Sequence, residues 1–191
     1  MRQTTSTILI TAVLLLASAS HRAFAQADEA SAPLQVVATV GMIGDVASEV
    51  GGECVNVRSL MGPGSDPHLF RASAGDIDTL RRAQLILYGG LGLEGQLGEV
   101  LAGLSRSVPA VAVSEQAVPE SRRLASAAGY AYDPHVWLDA SQWADAALAI
   151  GTALAQGPGV DARCAAAIEE RAAAYRSLLL DLDDWARRSL G

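Results

Sequence analysis

Ser73-Ala74-Gly75-Asp76-Ile77-Asp78-Thr79-Leu80-Arg81-Arg82-Ala83-Gln84-Leu85-Ile86-Leu87-Tyr88-Gly89-Gly90 contains both halves of the unit from which this chain is built. Ser73 and Asp76 resemble a capping box, with Asp in place of the usual Glu. Ile77, Leu80 and Ala83 then recur at helical spacing and predict the buried stripe of a helix. Leu85 to Tyr88 is short and wholly apolar, as a strand covered on both faces requires, and Gly89-Gly90 ends it.

The same alternation extends in both directions. Toward the N-terminus, Leu34 to Val40 is β-rich. Ile43, Val46, Ala47 and Val50 follow at helical spacing, Gly51-Gly52 stops that helix, and Cys54 to Leu60 reads as a second strand. Toward the C-terminus, Glu94 to Leu104 is predicted helical and Ala110 to Val113 is a fourth strand. Strands separated by helices at this interval indicate an α/β fold with a parallel sheet flanked by helices. Ser114 to Pro134 reads as a polar loop. Asp139 or Ser141 then caps a helix running to about Ala155, and Gly157-Pro158-Gly159 breaks it. Asp161 to Leu190 reads as one long helix with an apolar stripe of Ile168, Tyr175, Leu178, Leu179, Leu182 and Trp185. At about 1.5 Å per residue it would be about 45 Å long.

The first 25 residues have the form of a secretory signal: Arg2, an uncharged apolar run from Ile8 to Ala19, and an Ala23-Phe24-Ala25 cleavage site. The run is too short to span a bilayer, and no cysteine lies near the cut to carry a lipid. Cleavage takes away Arg2, Arg22 and His21; from 191 residues at −7 it leaves 166 at −9, enough for a domain with its own core. All cations are arginine. The acidic balance excludes nucleic acid as a partner. Cys54 and Cys164 match no zinc spacing. Their simplest reading is two small buried hydrophobes, with a disulfide, permitted by export, as the alternative.

Both histidines left after cleavage occupy the same tripeptide: Asp66-Pro67-His68 before Leu69-Phe70, and Asp133-Pro134-His135 before Val136-Trp137. Imidazole is the commonest protein ligand for transition metals. Proline fixes its own φ and holds the preceding Asp extended, so each ring is presented from a stiff turn. Asp-Pro is also an ordinary turn opener, and Asp66 and Asp133 read first as turn residues, with orientation of the rings as the alternative. Both turns follow predicted strands of one sheet, and ligand sites in open parallel sheets form beyond the carboxyl ends of the strands. Phe70 and Trp137 read as packing beside the rings. Trp143 and Trp185 read as core or helix-face residues.

These segments carry a resemblance. Met61-Gly62-Pro63-Gly64-Ser65-Asp66-Pro67-His68-Leu69-Phe70 with Ala74-Gly75-Asp76-Ile77, then Leu85 to Glu94, then Asp133 to Asp139, resemble the periplasmic zinc/manganese-binding proteins of ABC transporters, the cluster A-I solute-binding family. The chain is most similar to the treponemal zinc/manganese-binding type. Gly89 stands where that family commonly has Asn. The similarity runs from about Leu34 to Leu190. It implies two α/β lobes joined by a long helix, with the metal between them. His68 and His135 match the two ligands of the N-terminal lobe, and a His or Glu and an Asp come from the other. The expected organisation is therefore a signal at 1–25, a flexible N-terminus at 26–33, a metal-binding lobe at 34–158 and a linking helix at 159–191, with the second lobe absent.

The resemblance implies the extracytoplasmic, periplasmic binding component of an importer for manganese or zinc, with iron possible as cargo. Its expected partner is a membrane permease, and its expected state is a monomer not inserted in the membrane. Ser114 to Pro134 lacks the histidine-rich stretch of zinc-specialised relatives, which favours manganese or a broad zinc/manganese specificity. Two other readings stand beside the carrier. One is an interaction-only fragment. The other is a metal-dependent hydrolase, against which stand the lack of a third ligand, of a His-Glu-x-x-His pattern and of an evident base.

Overall fold

The computed structural model describes residues 32–126, 129 and 131–190. The expected signal and nearly all of the 26–33 segment lie outside the described residues. Four parallel strands form one sheet: β1 (Leu34–Ala38), β2 (Val55–Ser59), β3 (Leu85–Tyr88) and β4 (Ala110–Ala112), in the order β2-β1-β3-β4. Leu34 pairs with Val55, Val36 with Leu85 and Ile86 with Ala110. The wholly apolar reading of β3 fits its place. It lies between two strands, and Leu85, Ile86 and Leu87 are all buried.

The flanking helices are α1 (Gly41–Gly51), α2 (Ala74–Arg82), α3 (Leu97–Leu104), α4 (Val113–Ala117), α5 (Ala140–Ala155) and α6 (Ala162–Leu190). The capping box at α2 forms in full. The Asp76 amide donates to the Ser73 hydroxyl, and the Ser73 amide donates to the Asp76 carboxylate. Asp139 rather than Ser141 caps α5, accepting from the amides of Ser141 and Gln142. The core joins Val36, Ile43, Val50, Leu80, Ile86, Leu101, Ile150, Leu154 and Ile168.

The structure corrects several expectations. Glu94 is not in a helix: residues 91–96 form a series of turns, and α3 starts only at Leu97. The leucines at 91, 93 and 97 are buried, which imitates a helical pattern, but Leu91, Gly92 and Gly95 all have positive φ, which no right-handed helix allows. The stretch from Ser114 is not all loop. It completes α4, and a 3-10 turn follows at Glu120–Arg122. Cys54 ends a 3-10 turn before β2 instead of opening the strand. Cys54 and Cys164 are both buried, and they form a disulfide that joins the start of β2 to the first turn of α6 across 110 residues.

The long helix α6 packs on α5. Gly151 permits the approach, since a Cβ there would lie 2.3 Å from the Cβ of Ala172. Arg171 donates to the carbonyls of Val50 and Gly51, both at 2.6 Å, and so satisfies the end of α1. Asp145 of α5 accepts from Arg176 of α6 at 3.0 Å and from Arg122 at 2.7 Å. The predicted stripe is buried only in its near half. Ile168 is fully buried, whereas Leu178, Leu182 and Trp185 are exposed.

Candidate metal centre

Both Asp-Pro-His turns are built alike. The Asp66 carboxylate accepts the His68 amide at 2.9 Å, and the Asp133 carboxylate accepts the His135 amide at 2.9 Å. Each proline holds its Asp extended, and the Asp folds the next two residues back through its own side chain. The histidine is therefore fixed at the backbone before its ring meets any partner.

One turn leaves β2 and the other ends the connection that leaves β4, so the rings approach from opposite edges of the sheet. Their Nε2 atoms lie 3.5 Å apart, with ring centroids 5.5 Å apart and planes at 59°. An ion about 2.05 Å from both nitrogens, within the usual zinc–imidazole range, would subtend about 117°, close to a tetrahedral angle. The sequence pattern led to the expectation that these two rings meet, and the fold brings their Nε2 atoms within 3.5 Å of each other.

Asp133 does more than shape a turn. Its Oδ1 lies 2.7 Å from Nδ1 of His135. That contact favours the proton on Nδ1 and leaves the Nε2 lone pair directed at the His68 ring. The amide and ring of His135 hold the Asp133 carboxyl below the usual aspartate value, outweighing the opposing effect of burial. The ring-orienting alternative thus adds to the turn role. Trp137 packs edge-on to the His135 ring at 5.1 Å, and Phe70 packs partly buried against the core. Trp143 also packs against the core, and Trp185 is exposed on α6.

A small open cavity of about 250 Å³ borders His135, lined by Leu124, Asp133, Leu138, Asp139 and Gln142 among others. Leu69 and Leu138, each close to a histidine, are highly exposed. Among the described residues no group of three or more His, Cys, Asp or Glu side chains is placed to hold a metal ion. The described residues thus bring two imidazoles together, and a full metal-binding shell is not found among them.

Sequence reading missed Glu94 as a structural residue of this edge. It is buried, and it accepts from the Thr39 hydroxyl and from the amides of Gly89 and Gly90. Burial raises its carboxyl above the usual glutamate value, and these donors only partly offset that. A lone acid within Leu91-Gly92-Leu93-Glu94-Gly95 was the available signal.

An open parallel sheet with two imidazoles converging at its carboxyl edge is an architecture for holding a small ligand. Residues 36–191 match the family described as ZnuA, zinc-uptake complex component A, periplasmic, and the chain belongs to that family. It is 39% identical over 157 residues to the manganese-binding lipoprotein MntA of Bacillus subtilis, covering 82% of this chain and 50% of that protein. It is 42% identical over 154 residues to the zinc-binding protein TroA of Treponema pallidum, covering 80% and 48%. The solved structure of the periplasmic zinc-binding protein TroA superposes with a TM-score of 0.74 at 40% identity, over 82% of this chain and 55% of that one. Fe(III)-bound YtgA of Chlamydia trachomatis gives 0.72 at 30% identity, over 82% and 54%. The chain thus spans about half the length of the curated relatives it matches. Among its described residues no helix is long and apolar enough to cross a membrane.

Proposed function

We propose that this chain is the metal-binding part of the extracytoplasmic solute-binding component of an ABC importer, with manganese or zinc as its cargo. His68 and His135 act as two metal ligands, and a membrane permease receives the ion. The observation that carries this reading is the 3.5 Å approach of the two Nε2 atoms from opposite edges of the sheet. Family membership and the metals named for MntA and TroA support it. Neutral imidazole suits Mn²⁺, Zn²⁺ and Fe²⁺ alike, so the pair itself sets no narrow choice among them. The lobe spans 34–158, and α6 serves as the linking element. In this reading the protein binds and releases the ion without turnover, as a carrier does.

Titration calorimetry with Zn²⁺ and Mn²⁺ tests this. One ion should bind per chain, with modest affinity because two donors leave half of a four-coordinate shell to other groups. Either His68→Ala or His135→Ala should abolish the heat. Tight binding that survives both variants would refute the assignment, and metal-dependent hydrolysis of a test ester would refute the carrier reading.

A further inference from the structure

Glu94 is the one buried carboxylate among the described residues, 2% exposed, and it is not a ligand in the reading above. Its Oε1 accepts from the Thr39 hydroxyl at 2.7 Å and the Gly89 amide at 2.6 Å, and its Oε2 accepts from the Gly90 amide at 3.1 Å. Thr39 directly follows β1, and Gly89 directly follows β3, so one side chain ties the carboxyl ends of the two central strands. The turn it closes is also tied to the exit of β4. The Ser114 amide donates to the Gly89 carbonyl at 3.0 Å, and the Leu91 amide donates to Glu115 at 2.9 Å.

The next residue carries this order to the histidine. Gly95 has φ 48°, and a Cβ there would lie 2.5 Å from the backbone carbonyl oxygen of His68. The Gly95 backbone is thus pressed against the His68 backbone with no room for a side chain. Three converging donors suit a carboxylate, which only accepts. A glutamine would turn an amide N–H toward one of the same donors and leave it unpaired.

We propose that Glu94 is a positioning residue for His68: its carboxylate fixes the turn from Gly89 to Gly95, and that turn sets where the His68 backbone, and so its ring, stands. This rests on the reading of His68 and His135 as ligands of one ion.

Three variants test it: Glu94→Gln, Gly95→Ala, and Gly159→Ala as control. Gly159 has φ 80° and open space where a Cβ would go, so its variant carries comparable backbone strain without touching His68. Two quantities are read: the nuclear Overhauser effect between the His68 and His135 ring protons in metal-free protein, and Zn²⁺ affinity by competition with a chromophoric chelator. Glu94→Gln and Gly95→Ala should each weaken the ring-to-ring signal and lower affinity about tenfold or more, in the range found for residues that orient ligands. Gly159→Ala should change neither. Folded Glu94→Gln and Gly95→Ala proteins with both readings at the wild-type level would overturn the proposal, as would equal losses in Gly159→Ala. If Glu94→Gln does not fold, Thr39→Val, which removes one donor, takes its place with the same expectations. A wild-type chain that binds no Zn²⁺, with the ring signal still lost in the variants, would refute the ligand reading and leave the positioning role standing.

Discussion

Asp133 and Asp139, six residues apart, serve two ends of one short segment. Asp133 directs the His135 ring, and Asp139 caps α5. Asp133→Ala should lower metal affinity about 10–100-fold while the fold persists, because it removes the group that sets the ring's tautomer and orientation; calorimetry beside a circular dichroism melt separates the two effects. Asp139 gives a pH prediction. Burial pushes its carboxyl up, but the Ser141 hydroxyl, the Gln142 amide and side chain and the Ser141 amide outweigh it, so its value lies below the usual one. A group depressed in the folded state contributes stability that is present above the ordinary aspartate value, near pH 3.9, and is lost as pH falls through the lower folded value. Urea denaturation between about pH 5 and pH 2 should show this acid loss in the wild type and a shallower one in Asp139→Asn. At this scale the histidine pair was legible because proline and aspartate declare a turn in any context. Glu94 was not, because its role depends on positive φ values at Leu91, Gly92 and Gly95, which leave only glycines and buried leucines as traces.

Among the elements, β3 and the α2 cap were legible because the information is local: four apolar residues in a row, and a serine three residues before an acid. α6 was legible in extent but not in how far it is covered. Gly151 meets Ala172 and Asp145 meets Arg176, so α5 and α6 run antiparallel. α5 begins at Ala140, opposite the neighbourhood of Leu182. Beyond that point α6 has no α5 beside it, which accounts for the exposure of Trp185 and Leu190. Amides from Leu182 to Leu190 should therefore exchange with deuterium much faster than those around Ile168, since few buried contacts oppose local opening. Uniform strong protection along α6 in a monomeric sample would contradict this.

The disulfide belongs to the scale of the whole molecule, and for that reason the sequence hid it. A separation of 110 residues matches no spacing motif, and only the folded chain brings the start of β2 to the start of α6. Closing so long a loop removes much conformational freedom from the unfolded chain. Reduction, or Cys54→Ser with Cys164→Ser, should lower unfolding free energy by about 2–4 kcal/mol and leave the far-ultraviolet spectrum of the folded state unchanged. An unchanged denaturation midpoint would show that the bond adds nothing. The sheet order has a consequence of another kind. His68 follows β2 and His135 follows β4, the two outermost strands, which at about 4.8 Å per step are separated by about 14 Å across the sheet. The connections that leave these two strands nevertheless bring the ring nitrogens within 3.5 Å of each other. An ion held by both rings, as proposed, would tie the two margins of the sheet together.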